Sequence, residues 1–248
     1  FVLSLKGKHK KILRYFIMKN QRPTALIFDM DGTIVDTLDD ITDSVNFALR
    51  KHGLPEYNRQ EICSFIGKGS NHLIDCAIQD KKELFDSVFQ VYYNYYLDHF
   101  CVKTHPYDGI IDALTYAKEQ GILLYIYTNK PHNIALEVMH RCFPKGLFDL
   151  LVGIPLNGIV KPDPNAFFEA VKEKRLDFNT VCYFGDSVTD IVTAHNLGCK
   201  GIYSVLWGFQ SKEKLSSCQY QPTAFLSHPN EIKAVIDGDL KTKSALLS

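Results

Sequence analysis

The chain carries no excess of either charge: Lys plus Arg and Asp plus Glu both number 28 in 248 residues. Nothing in that balance draws it to nucleic acid or to an anionic membrane. It also lacks any uninterrupted apolar run near the roughly 18 residues that a membrane-spanning helix needs. There is no CxxC. The seven cysteines (Cys63, Cys76, Cys101, Cys142, Cys182, Cys199, Cys218) are scattered and odd in number. That pattern speaks against a disulfide framework and against zinc, and it fits free thiols in a reducing, cytoplasmic setting. What remains is an ordinary globular composition, 46% hydrophobic and 23% charged, long enough for one large domain or a core with a smaller inserted one.

Residues 1–17 stand apart, with Lys6, Lys8, Lys10, Lys11 and Arg14, no acid, and interleaved Leu3, Leu5, Ile12, Leu13 and Phe16. An amphipathic surface or targeting segment is one reading. The first methionine is Met18, so the natural protein is expected to begin there, with the preceding residues non-native. Residues 1–21 are set aside as an N-terminal extension.

The organising stretch is 25–37, Ala-Leu-Ile-Phe-Asp-Met-Asp-Gly-Thr-Ile-Val-Asp-Thr. Ala25 to Phe28 reads as a buried parallel strand that delivers Asp29 and Asp31 to its carboxyl end, just before a turn at Gly32 and Thr33. Ligands bind at that edge of an open α/β sheet. Two carboxylates at i, i+2 repel unless a cation lies beside them, and hard oxygen donors in small number suit Mg²⁺.

A helical block follows. Thr37 and Asp40 have capping-box spacing, and Leu38, Ile41, Val45 and Ala48 repeat helically as far as His52-Gly53. A second helix is expected after Gly67-Lys68-Gly69-Ser70, and a third over about 83–98, rich in aromatics that read as a packing face because no basic patch accompanies them. From His105-Pro106 strands and helices alternate. Strands are expected at 123–127, 150–152, 181–184, 202–205 and 223–226, and helices at 110–120, 134–142, 166–174 and 191–197. Such alternation implies a doubly wound, Rossmann-like parallel sheet with helices on both faces. The core is then 22–37 plus 104–238, the helical insertion 38–103, and the polar tail 239–248.

Four strand ends finish on polar groups: Asp29/Asp31, Thr128/Asn129, Lys161 and Asp186/Asp190. Alone, Lys161 reads as a surface lysine and Thr128-Asn129 as a helix cap. Parallel strands bring their carboxyl ends to one edge, however, so the set can converge. Four carboxylates together need the charges of Mg²⁺ and Lys161 to coexist.

In order, Asp29-Met30-Asp31-Gly32-Thr33, Thr128, Lys161 and Gly185-Asp186-Ser187-Val188-Thr189-Asp190 resemble the motifs of haloacid dehalogenase-type hydrolases with a helical cap, over about residues 22–236. The resemblance implies that Asp29 is a nucleophile forming an aspartyl-phosphate and that Asp31 is the acid for the leaving oxygen and then the base for water. It implies that Thr128 and Lys161 hold phosphoryl oxygens. Mg²⁺ would be bound by Asp29, the Asp31 backbone carbonyl and Asp186, with Asp190 alongside either as a further ligand or holding one in place. An acid at position 31 and Thr33 match the phosphatase branch better than the dehalogenases or β-phosphoglucomutase.

Phe65-Ile66-Gly67-Lys68-Gly69-Ser70-Asn71-His72-Leu73, with Pro106-Tyr107-Asp108-Gly109 and Thr128-Asn129-Lys130-Pro131, resembles phosphoglycolate phosphatases in particular. Thr33, Asn129 and Lys68 are then substrate-binding residues, with Lys68 at a helix N-terminus facing the carboxylate of 2-phosphoglycolate. A glycine turn with a solvated lysine is the competing reading of Lys68. Pyrophosphate, nucleotide and sugar-phosphate phosphatases, a phosphomutase and a non-catalytic relative stay open. The partner expected is a small phosphorylated metabolite, without nucleic acid or membrane, and the chain is expected as monomer or homodimer.

Overall fold

The computed structural model describes residues 22–154, 158 and 160–240. The expectations for the extension before residue 22 and for the tail beyond 240 lie outside the described residues.

β1 (Ala25–Phe28) has all of its side chains fully buried because it is covered on both faces. Leu26 and Phe28 point into one apolar cluster, Ala25 and Ile27 into another. That is the period of two expected of a central strand. Burying each large side chain contributes roughly 1.5–3 kcal/mol, so an acidic residue at Ile27 would disrupt the centre of the sheet.

After β1 come β2 (Val35–Asp36) and then α1 (Leu38–Lys51), α2 (Arg59–Phe65), α3 (Ser70–Ile78) and α4 (Phe85–His99). β3 (His105–Pro106) returns the chain and pairs antiparallel with β2, Val35 opposite Pro106 and Asp36 opposite His105. Both crossings between core and helical cap are thus tied into one ribbon. The core continues through α5 (Ile110–Glu119), β4 (Leu123–Pro131), α6 (His132–Cys142), β5 (Leu150–Ile154), α7 (Asn165–Val171), β6 (Val181–Gly185), α8 (Val188–Leu197), β7 (Gly201–Val205), α9 (Lys212–Ser216), β8 (Ala224–Leu226) and α10 (Glu231–Asp237). The six core strands run in the order β5-β4-β1-β6-β7-β8, every pair parallel. This is the doubly wound α/β fold with a helical cap that the alternation implied.

Several local expectations are corrected. Thr37 precedes α1 but makes no side-chain cap bond. Asp40 instead turns to the opposite crossing, where it accepts hydrogen bonds from the backbone of 102–104. α2 was not anticipated, although Asn58 and Glu61 form the capping box that a helix start calls for. The helix expected over 166–174 ends at Val171 and continues as one 3₁₀ turn, Lys172–Lys174. β4 does not stop at Tyr127. It runs to Pro131 through a register shift between Tyr127 and Pro131 that lifts Thr128, Asn129 and Lys130 out of the regular ladder. Irregularities of this kind re-aim side chains beside functional sites.

Candidate active site

The carboxyl ends of β1, β4 and β6 deliver Asp29, Thr128 and Asp186 to one edge of the sheet. Between that edge and the cap lies a cleft. Its core wall holds Asp29, Asp31, Thr128, Asn129, Lys130 and Asp186, and its cap wall includes Ile41, Gly67, Ser70, Leu73, Tyr92 and Tyr96.

Lys161 is buried and stands 2.8 Å from Asp29 Oδ1 and 2.7 Å from Asp190 Oδ1. Burial alone would lower its affinity for a proton, but Asp190 and Asp29 beside it push the ammonium above its ordinary range. Lys161 is not among the cleft-lining residues. Asn129 fixes its backbone, accepting from Lys161 N at 2.7 Å and donating to Lys161 O at 3.2 Å. The same amide donates to Gly67 O at 3.1 Å, so Asn129 joins core to cap with its own hydrogen-bonding groups already engaged.

Asp190 belongs to the start of α8. Ser187 and Asp190 make a capping box, with Ser187 N and Oγ donating to Asp190 Oδ2 at 3.0 and 2.5 Å. Tyr183 donates to Asp190 Oδ1 at 3.0 Å. Asp186, just before the helix, accepts from Thr33 Oγ1 at 3.1 Å and from Phe209 N at 2.7 Å. Thr33 therefore orients an acid and does not line the cleft.

Glycine is required around Asp186. Gly32 has φ of 82°, where a Cβ would fall 2.4 Å from Asp186 Oδ2, and a Cβ on Gly208 would fall 2.3 Å from Asp186 Cβ. No larger residue fits either place without moving the carboxylate.

Asp29, Asp186 and Asp190 are all buried, with carboxylate oxygens within 4.8 Å of one another. Burial raises Asp29 to about 7 against the lowering effect of Lys161, with Asp190 adding to the rise. Burial, then Asp190 and Asp29, raise Asp186 well above the usual carboxylate range. Asp29 Oδ1 has the ion pair to Lys161 but no hydrogen bond of acceptable geometry. Three buried carboxylates this close, with the single ammonium of Lys161 reaching only Asp29 and Asp190, form an all-oxygen donor set that fits a hard divalent cation such as Mg²⁺.

The structure thus brings Asp29, Asp31, Thr128, Lys161, Asp186 and Asp190, with Thr33 and Asn129, to one place. It does not bring Lys68. That side chain is exposed, and only its neighbours Gly67 and Gly69 line the cleft.

Sequence reasoning passed over Lys130. It is 4% exposed, pairs with Asp31 Oδ1 at 2.8 Å and donates to Tyr96 Oη at 2.6 Å. The signal was its place directly after Thr128-Asn129. The 206–210 loop after β7 was also unassigned, yet it supplies the Phe209 amide and holds Thr33 O through Trp207 Nε1 at 3.0 Å. Gly208 at a strand's carboxyl end was its one visible mark.

Comparison with known proteins agrees with this geometry. The family model for haloacid dehalogenase-like hydrolases matches residues 26–203. The chain is similar to the N-acetylmuramic acid 6-phosphate phosphatase of Pseudomonas aeruginosa, 28% identical over 223 residues, spanning 89% of this chain and 97% of that protein. It is similar to the phosphoglycolate phosphatase of Aquifex aeolicus, 28% identical over 216 residues, spanning 87% and 98%. Among solved structures, a Lactobacillus delbrueckii subsp. bulgaricus protein, whose assignment as a phosphoglycolate phosphatase is itself inferred, superposes with a TM-score of 0.79 at 28% identity, covering 87% of this chain and 99% of that one.

Proposed function

The chain belongs to the haloacid dehalogenase-like hydrolases, as one of their phosphatases, and from that premise we propose that it hydrolyses a small acidic phosphate monoester, foremost 2-phosphoglycolate, in a Mg²⁺-dependent reaction through Asp29. The observation that carries this reading is the convergence of Asp29, Asp186 and Asp190 within 4.8 Å, with Lys161 bridging two of them and Asp31 and Thr128 alongside.

Asp29 and Asp186, with Asp190 beside them and the Asp31 carbonyl, would hold Mg²⁺. When bound, the ion supplies positive charge that neutralises phosphoryl oxygens and keeps the buried acids ionised. Lys161 draws the remaining negative charge and orients Asp29. Thr128, buried at the cleft wall, offers its hydroxyl to a phosphoryl oxygen. In the first step an Asp29 carboxylate oxygen forms a bond to phosphorus as the ester P–O bond breaks, and Asp31 gives its proton to the departing alkoxide. In the second, Asp31 takes a proton from water as the water oxygen attacks phosphorus. The acyl-phosphate P–O bond breaks, releasing inorganic phosphate and restoring Asp29. The cap residues over the cleft keep bulk water out.

Similarity to the Pseudomonas aeruginosa enzyme favours N-acetylmuramic acid 6-phosphate as a second reading of the substrate. Phosphate release from 2-phosphoglycolate, N-acetylmuramic acid 6-phosphate, pyrophosphate, nucleoside monophosphates and hexose phosphates, each with Mg²⁺ and with EDTA, tests both. Selective Mg²⁺-dependent turnover of 2-phosphoglycolate is expected. Activity that depends on added sugar bisphosphate would point to a mutase instead, and no release from any ester would sink the phosphatase reading.

A further inference from the structure

Lys130 is the one basic side chain among the residues that line the cleft. It is buried, and a buried ammonium is stable only with partners. Two of its three N–H donors are engaged, by Asp31 Oδ1 at 2.8 Å and by Tyr96 Oη at 2.6 Å. Among the described residues no acceptor takes the third. The ammonium also lies 5.2 Å from the centre of the Tyr96 ring. Tyr96 comes from the cap and Lys130 from β4, so the pair forms only where cap and core meet over the cleft.

The charge on the substrate side is then decisive. Lys161 is committed to Asp29 and Asp190. Asp29, Asp31 and Asp186 all face the cleft. A substrate with an acid group beyond its phosphate adds further negative charge, and the cap wall offers it no cation: Ile41, Leu73, the 67–70 turn without the Lys68 side chain, and the Tyr92 and Tyr96 phenols. Lys68 is exposed and is not among the residues that line the cleft.

We propose that Lys130, steadied by the Tyr96 hydroxyl, is the specificity-determining residue that receives a carboxylate carried near the ester oxygen of the substrate. This rests on the phosphatase reading above and names the chemical feature that the enzyme selects. The free N–H donates to the carboxylate, and a charge-assisted bond there exceeds what an alcohol of the same size would gain. Because Lys130 also holds Asp31, acid recognition and placement of the proton donor meet at one ammonium.

The test compares kcat/KM for 2-phosphoglycolate and for its uncharged counterpart 2-hydroxyethyl phosphate, with Mg²⁺, in wild type, Lys130→Met, Lys130→Arg and Tyr96→Phe. Wild type is expected to prefer the acid. In Lys130→Met the ratio of the two kcat/KM values should fall about 10- to 100-fold, mainly through KM of the acid, as loss of one charged hydrogen bond predicts. Lys130→Arg should retain more of the ratio than Lys130→Met, and Tyr96→Phe should lower it about 3- to 10-fold. An unchanged ratio in Lys130→Met overturns the assignment, since a lysine that only positions Asp31 would slow both esters alike. If Lys130→Met fails to fold, Tyr96→Phe decides, and an unchanged ratio there overturns it too. Wild type that hydrolyses both esters without preference defeats this inference and leaves the phosphatase reading standing. Wild type that releases phosphate from neither, nor from the wider panel, defeats both.

Discussion

Asp40, on the first turn of α1, accepts the Thr104 hydroxyl at 2.7 Å from the far side of the cap, 64 positions along the chain. The same buried carboxylate receives the backbone N–H groups of Val102 and Lys103 at 3.0 Å and of Thr104 at 2.8 Å. One acid therefore closes the loop through which the chain leaves the core and returns. Asp40→Ala strands these donors, and it should cost about 2–3 kcal/mol. In thermal melts that is a drop of roughly 5–10 °C. KM should rise because the cap loses its anchor, and a variant melting within a degree of wild type would show that Asp40 bears no such weight.

Asp31→Asn is expected to abolish steady-state turnover while sparing the fold. The amide can still accept from Lys130, and the backbone carbonyl proposed as a metal ligand is untouched. It can neither protonate the leaving oxygen nor take a proton from water, a loss of about 10²–10⁴-fold or more. Near wild-type phosphate release would remove Asp31 from the acid-base role.

Lys161→Met keeps the length of the side chain and deletes the charge shared by Asp29 and Asp190. Breaking a buried pair from one side costs about 3–5 kcal/mol, because the carboxylates lose their counter-charge. The loss should be larger at pH 8 than at pH 5, where Asp29, raised to about 7 by burial, holds its proton and needs no counter-charge. Chemical denaturation at the two pH values measures it, and equal losses would mean that Lys161 acts by packing alone.

The parts that could be read from residues alone are those where local pattern and global topology agree. The apolar run Ala25–Phe28 can only be a central strand, and its carboxyl end can only be an edge. The acids Asp29, Asp186 and Asp190 follow from that one inference together with strand order. The partners of Lys130 and Asp40 were illegible for the opposite reason: each, Tyr96 and Thr104, lies far away in sequence and is reached only through the cap. Asp40 sat where a capping box would use it, and tertiary bonding to 102–104 won over the local option. Lys68 had the composition of an anion site, but it is exposed and absent from the cleft lining. No rule of spacing distinguishes a lysine that faces the cleft from one that faces solvent.

The proposed Mg²⁺ would compete with protons for the same oxygens, and that competition would set the pH dependence of the site. Burial raises Asp29 from 3.8 to about 7 in the folded chain, and Asp186 shifts the same way. Across that window the folded chain holds protons that the unfolded chain has released. Stability without metal therefore declines as pH climbs from about 4 to about 7, the Asp29 contribution levelling off above that. Mg²⁺ must displace those protons, so its affinity should rise about tenfold per pH unit for each proton lost, up to neutrality. The gain in melting temperature from saturating Mg²⁺ over EDTA should accordingly be small at pH 5 and large at pH 8, with phosphate release following the same curve. Asp186→Asn removes a raised acid and a ligand together, so it should melt higher than wild type in EDTA at pH 8 and gain little from Mg²⁺. A Mg²⁺ effect equal at both pH values, in wild type and variant alike, would place the cation away from these carboxylates.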